Sequence, residues 1–168
     1  MPNILDLPIL SRIRRNHGLE HATLTLLARR FPGRAIGGYS DPGGCWIIGD
    51  LETEAIAEAA LEALERLRKG EAGLAVHPHC GTNFAVTGSL AGLSSALVML
   101  PNGTRRQKFE RLPLAALLAT LAVIAAQPLA LIVQSRITTS GQPGNLTITQ
   151  VTRQEQGKMV IHRIQTQG

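Results

Sequence analysis

The stretch Leu112-Pro-Leu-Ala-Ala-Leu-Leu-Ala-Thr-Leu-Ala-Val-Ile-Ala-Ala-Gln-Pro-Leu-Ala-Leu-Ile-Val133 contains no charged residue. As a helix rising about 1.5 Å per residue it reaches roughly 33 Å, enough to cross the hydrocarbon of a bilayer. A second uncharged run, Phe84 to Leu100, reaches roughly 25 Å and crosses only just. A chain of 168 residues has too little other mass to cover two such segments on every face. The pair therefore predicts a transmembrane helical hairpin over residues 84–135, with membrane lipid as a partner.

Between the runs, Pro101 to Arg111 holds Arg105, Arg106, Lys108 and Arg111 against a single acid, Glu110. By the positive-inside rule this connector competes with the basic flank at Arg66, Arg68 and Lys69, while a hairpin puts both ends of the chain on one side. Gly88 and Gly92, set among Thr87, Ser89, Ala91, Ser94 and Ser95, allow close helix approach, either with the second run or in a homodimer.

Outward toward the N-terminus, residues 1–83 predict a small α+β domain in the order helix, hairpin, helix, strand. Ser11 to Arg30 reads as a helix with Ser11 as its N-cap and Phe31-Pro32-Gly33 as its stop. Arg34 to Tyr39 and Cys45 to Gly49 flank the turn sequence Ser40-Asp41-Pro42-Gly43-Gly44 and predict a β-hairpin. Thr53 to Lys69 places Ile56, Ala60, Leu61, Leu64 and Leu67 on one helical face, with Glu62/Arg66 and Glu65/Lys69 as spaced ion pairs on the other. Leu74 to His79 is expected as a strand, held extended ahead of Pro78. Beyond Arg136, Leu146 to Val151 and Met159 to Ile164 predict a β-hairpin in a C-terminal tail, residues 136–168, with His162 at its surface.

Met1 to Leu10 includes Asp6 and two prolines, unlike a secretory signal, so the N-terminal domain is expected in the cytoplasm. Two cysteines, Cys45 and Cys80, are too few for a disulfide framework and fit a reducing compartment. The net charge of +5 comes from scattered arginines without an aromatic stacking platform, which argues against nucleic acid as a partner; basic residues beside an anionic leaflet account for it.

Four of the five histidines fall into two clusters, His17 and His21 in Asn16-His17-Gly18-Leu19-Glu20-His21, and His77 and His79 in His77-Pro78-His79-Cys80-Gly81-Thr82-Asn83. On a helix His17 and His21 lie roughly 40° apart with Glu20 on the flank, so two imidazoles and a carboxylate converge. His-x-x-Glu-His is the mirror order of the zinc-protease helix, in which the histidines hold the ion and the Glu activates a water. Gly18 inside that helix costs about 1 kcal/mol relative to Ala, a cost explained if another backbone approaches there.

Two ligand sets close a site for a divalent transition metal, foremost Zn²⁺. His17, His21 and His77 with water make a reactive centre in which Glu20 is the general base; the same histidines with Cys80 make a closed structural one. Cys80 is alternatively a nucleophile activated by a neighbouring histidine, or the reporter of a metal or redox sensor. Thr82 and Asn83, and less directly Asn16 and Asp50, are candidates to orient the ligands.

The combination of His17-Gly18-Leu19-Glu20-His21-Ala22-Thr23, Ser40-Asp41-Pro42-Gly43-Gly44 and His77-Pro78-His79-Cys80-Gly81-Thr82-Asn83, running into apolar helices, resembles an uncharacterised family of small prokaryotic membrane proteins. It also resembles the larger YqhQ-type bacterial membrane family, commonly described as a predicted metal-dependent enzyme. The resemblance covers roughly residues 10–100 and implies an integral protein of a prokaryotic cell membrane, with metal-site roles for His17, Glu20, His21, His77 and Cys80. Position 79 is usually basic in the larger family, which sets His79 apart from the implied ligands. The expected activity is metal-assisted hydrolysis of a peptide or a lipid-linked amide or ester at the membrane surface; the alternative is a non-catalytic metal-binding module or sensor that docks a partner.

Overall fold

The computed structural model describes residues 4–157 and 159–168, and the chain divides into two compact units, residues 4–77 with 135–168 and residues 78–134. The first unit is α+β. Its helices are α1, Pro8–Arg30, and α2, Thr53–Arg68; its strands are β1, Gly37–Asp41, β2, Gly44–Ile48, β3, Thr147–Gln156, and β4, Met159–Gln167.

Helix α1 starts a turn earlier than the Ser11 cap predicts, because Pro8 occupies its first turn with the φ a helix needs, and the Ser11 N–H already donates to the Leu7 carbonyl. It stops at Phe31, whose N–H closes on Leu27, and Gly33 follows at φ +82°. Helix α2 buries Ile56, Ala59, Ala60, Ala63, Leu64 and Leu67. Leu61, expected on that face, is 56% exposed instead, while Glu62/Arg66 and Glu65/Lys69 pair at 3.4 and 2.6 Å on the solvated side.

The four strands form one antiparallel sheet in the order β1-β2-β4-β3. The hairpin expected in the C-terminal tail therefore belongs to the N-terminal sheet: β4 pairs with β2, Cys45 opposite Ile164 and Ile47 opposite His162. Cys45, Ile47 and Ile164 point to the face covered by α1 and α2, where they join Leu19, Leu27 and Ile56 in a core closed to solvent. Each such Leu or Ile contributes about 1.5–3 kcal/mol on burial. Asn16 ties helix to sheet, donating to the Asp41 carbonyl at 2.8 Å and accepting from the Thr166 hydroxyl at 2.7 Å.

On the opposite face, Arg163 bonds both carboxylate oxygens of Asp41 at 2.8 Å and lies over the Trp46 ring. Burial raises the Asp41 pKa, but Arg163, the Trp46 indole N–H and the Gly43 N–H outweigh it and hold the carboxyl below its ordinary value. The hairpin turn is thereby fastened to β4.

His162 is a correction. It faces the core, not solvent, with 0% exposure. The segment Leu74–His79 is another: Ala72–Ala75 forms a short 3-10 turn and residues 76–80 run on without a strand. Pro78 has no N–H for a sheet ladder, and the Ala75 carbonyl is held by a side chain of α1.

The second unit holds α3, Gly81–Met99, and α4, Arg105–Val133. Both are long and apolar enough to cross a membrane, and only 11% of each apolar window is buried. The basic connector is largely helical: Thr104 caps α4 through a reciprocal pair with Gln107, so Arg105 to Arg111 form its first two turns. The Ser95 hydroxyl donates to the Ala115 carbonyl at 3.3 Å across the pair. A Cβ at Gly88 or Gly92 would meet nothing within 4 Å, so α4 does not pack on that stripe.

Candidate metal centre

Helix α1 presents His17 and His21 on adjacent turns of one face, their ring centroids 4.3 Å apart. They offer ligand atoms within 4.8 Å of one another. Each ring is fixed through Nδ1: His17 against the Thr138 carbonyl at 2.9 Å, His21 against the Ala75 carbonyl at 2.8 Å. A carbonyl only accepts, so each Nδ1 carries a proton, and in the neutral ring the lone pair then sits on Nε2. That is the tautomer in which metal-bound histidines are held by an orienting acceptor. The His77 ring stands 6.0 Å from that of His21, which brings three of the expected ligands together in the first unit.

The segment that follows the second apolar helix builds one wall of this centre. A π-helical turn, Gln134–Thr138, leads the chain across α1, where the Ser140 N–H donates to the Arg14 carbonyl at 2.9 Å. The Ser140 oxygen then lies so close to Gly18 that a Cβ there would stand 2.0 Å from it. Gly18 is thus explained by a close backbone approach, and the same crossing delivers the Thr138 carbonyl to His17.

Glu20 is 3% exposed and lies on the flank of α1 that faces β1, where a Cβ on Gly38 would come within 2.9 Å of its Oε1. Burial first, and then the charge of Glu20, push the Cys45 thiol far up, so this cysteine is a protonated core residue. Cys80 belongs to the second unit as the N-cap residue of α3, 5% exposed. In that unit Asn83 fixes the preceding turn by donating to the Pro78 carbonyl at 2.9 Å. His79 is exposed on the turn, Asp50 is exposed, and Asn16 serves the sheet, not the histidines.

The orienting acceptors are two backbone carbonyls, Thr138 and Ala75, and sequence reasoning named neither. A carbonyl leaves no mark in the residue alphabet, and Gly18 was the one signal that a backbone crosses there.

Among proteins of known sequence, an uncharacterised protein of Picosynechococcus sp. is 40% identical over 108 residues, 58% of this chain. The match spans about half of that relative, 53% of its length. No solved structure is similar. A family model described as a domain of unknown function matches residues 12–151, a span that takes in both histidine clusters, both apolar helices and the Thr138–Ser140 crossing. By that match the chain belongs to the DUF6391 family.

Proposed function

We propose that the chain is a membrane-anchored metal-dependent hydrolase whose centre is held by His17, His21 and His77. The observation that carries the reading is the pair of Nδ1 contacts, 2.9 Å to Thr138 and 2.8 Å to Ala75, an arrangement that suits two neighbouring imidazoles to bind an ion through Nε2. A Zn²⁺ ion there would lower the pKa of a bound water toward neutrality, and Glu20 would take its proton during attack on an amide or ester carbonyl. Cys80 is the remaining donor. Only Pro78 and His79 lie between it and His77, so the chain alone keeps their Cα atoms within about 11 Å.

Insertion of α3 and α4 into the cell membrane is part of the proposal, supported by their length and by apolar windows left 89% unburied, the complement of the 11% buried share. The open stripe at Gly88 and Gly92 fits a second copy of α3. Kinship with the YqhQ-type family, read from the two histidine motifs, fits the same chemistry.

A specific observation favours a second reading, a closed structural metal site with Cys80 as fourth ligand: the Glu20 carboxylate packs toward Gly38. Elemental analysis of protein purified in mild detergent tests the shared premise. About one transition-metal ion per chain is expected, lost in His17→Ala and His21→Ala; protein that stays metal-free after reconstitution with zinc, cobalt and iron would refute it.

A further inference from the structure

We infer that residues 4–15 are an interfacial docking element that seats the start of α1 in the headgroup layer of an anionic lipid surface. The inference rests on the membrane reading of α4. Ile4, Leu7, Ile9 and Leu10 are 67%, 51%, 66% and 37% exposed, a run of large apolar side chains that the core leaves out. Immediately after them come Arg12, Arg14 and Arg15, with Asp6 the single acid between residues 4 and 15. Exposed apolar residues followed by a basic cluster on one helix are the composition of a segment that lies in a membrane interface.

Among the described residues no Asp or Glu side chain occupies these arginines. Arg12 donates to the Thr166 carbonyl, Arg14 to the carbonyls of Arg136 and Thr139, and Arg15 to the Pro143 carbonyl, the Asn145 side-chain oxygen and, at 3.4 Å, the Gly168 oxygen. Apart from the Gly168 oxygen these acceptors are neutral, and none of the three arginines pairs with an Asp or Glu among the described residues. No acidic side chain among the described residues offsets their charge, which suits an anionic partner.

The chain itself says which partner. Arg136 follows the last residue of α4, Val133, by three positions, and Arg14 holds its carbonyl at 2.9 Å. If α4 spans the bilayer, the residues just past its end lie at the headgroups, and the start of α1 is bonded to them. Phosphate-bearing lipids are then the anions within reach, and each basic residue near such a surface adds to the attraction. Docking here also holds His17, two residues beyond Arg15, close to the depth at which lipid-linked substrates lie.

Hydrogen exchange on the unmodified full chain tests this, in nanodiscs of pure phosphatidylcholine, in nanodiscs with about 30% phosphatidylglycerol, and in neutral detergent. The first amides of a helix have no intrahelical acceptor, so protection at Ile9 and Leu10 reports burial in lipid and not helix bonding. Exchange of residues 4–12 should slow about tenfold or more in the anionic discs relative to the neutral ones. About 1 M salt should reverse that gain. Replacing Ile9 and Leu10 together by Asn, at exposed sites outside the core, should abolish it with the rest of the chain unchanged.

Equal exchange of residues 4–12 in all three media, with α3 and α4 protected, would overturn the docking element alone. Rapid exchange along α3 and α4 in the discs would overturn the membrane reading first. Protection that requires added protein and not anionic lipid would give the surface to a protein partner and reject the inference.

Discussion

Gly18 and Ser140 meet backbone to backbone: a Cβ on Gly18 would lie 2.0 Å from the Ser140 carbonyl oxygen. In an unhindered helix Gly→Ala gains about 1 kcal/mol. Here the methyl group must displace main chain, and overpacking of that kind costs about 1–3 kcal/mol. Gly18→Ala is therefore expected to lower stability in thermal unfolding, and to weaken metal binding as well, because the segment it displaces carries the carbonyl that orients His17. A variant as stable as the parent would show that the crossing does not press on α1.

The buried His162 makes a second prediction. Among the described residues neither of its ring nitrogens has a hydrogen-bond partner, and its side chain is closed to solvent. Burial first, then the charge of Arg153, push its pKa below the ordinary value, against an opposing pull from Asp50 and Glu52. As pH falls below about 6.5, the unfolded chain takes up this proton before the folded one does. The stability tied to a neutral His162 is thus complete above that pH and is lost as pH falls through the lower folded value. With metal removed, His162→Leu should match or exceed the parent at neutral pH, since an unsatisfied buried polar group costs about 1–3 kcal/mol. The gap should widen toward pH 5; parallel unfolding curves would reject the assignment.

These two residues also mark how far the sequence carries. Period 3.6 in α1 and α2, and the Asp41-Pro42-Gly43 turn, are local properties, and the elements lie where they are expected within a few residues. The pairing of β4 with β2 is not local: a hairpin signature tells which two strands are joined by a turn and nothing of which third strand they add to. Period two did put His162 on the face of Val160 and Ile164, and that shared face was the available sign of burial. His17 and His21 were legible because a helix fixes their spacing. The direction of Glu20 was not, since it depends on the space left open by Gly38, a residue of another element.

Membrane topology gives the third prediction. Gly141 packs within 2.5 Å of the Ala72 side chain when a Cβ is added, so a cysteine there would perturb the fold. Asn102 and Glu155 are exposed and free of that cost. If α3 and α4 span as a hairpin, a membrane-impermeant thiol reagent in oriented vesicles should label Asn102→Cys from one side and Glu155→Cys from the other. Labelling of both from the same side would reject the hairpin.

The last prediction separates catalysis from structure through the different work each gives to Glu20 and Cys80. As a general base, Glu20 is dispensable for holding the ion: Glu20→Gln should keep metal content and folding, yet lower hydrolytic turnover about 10²- to 10⁴-fold. As a packing group over Gly38, with its carboxylate 2.9 Å from the position a Cβ would take there, the same residue tolerates the isosteric amide and nothing measurable is lost. Cys80 answers in the opposite sense. In a four-ligand site Cys80→Ala should cost metal affinity and domain stability, whereas in an open site with three histidines and a water it should leave both near the parent value. Cobalt substitution reads the difference directly. A thiolate-to-metal charge-transfer band that disappears in Cys80→Ala, together with no exchangeable water on the metal, would assign a closed structural centre and remove the hydrolase. An exchangeable water with no such band, and turnover abolished in Glu20→Gln, would keep it.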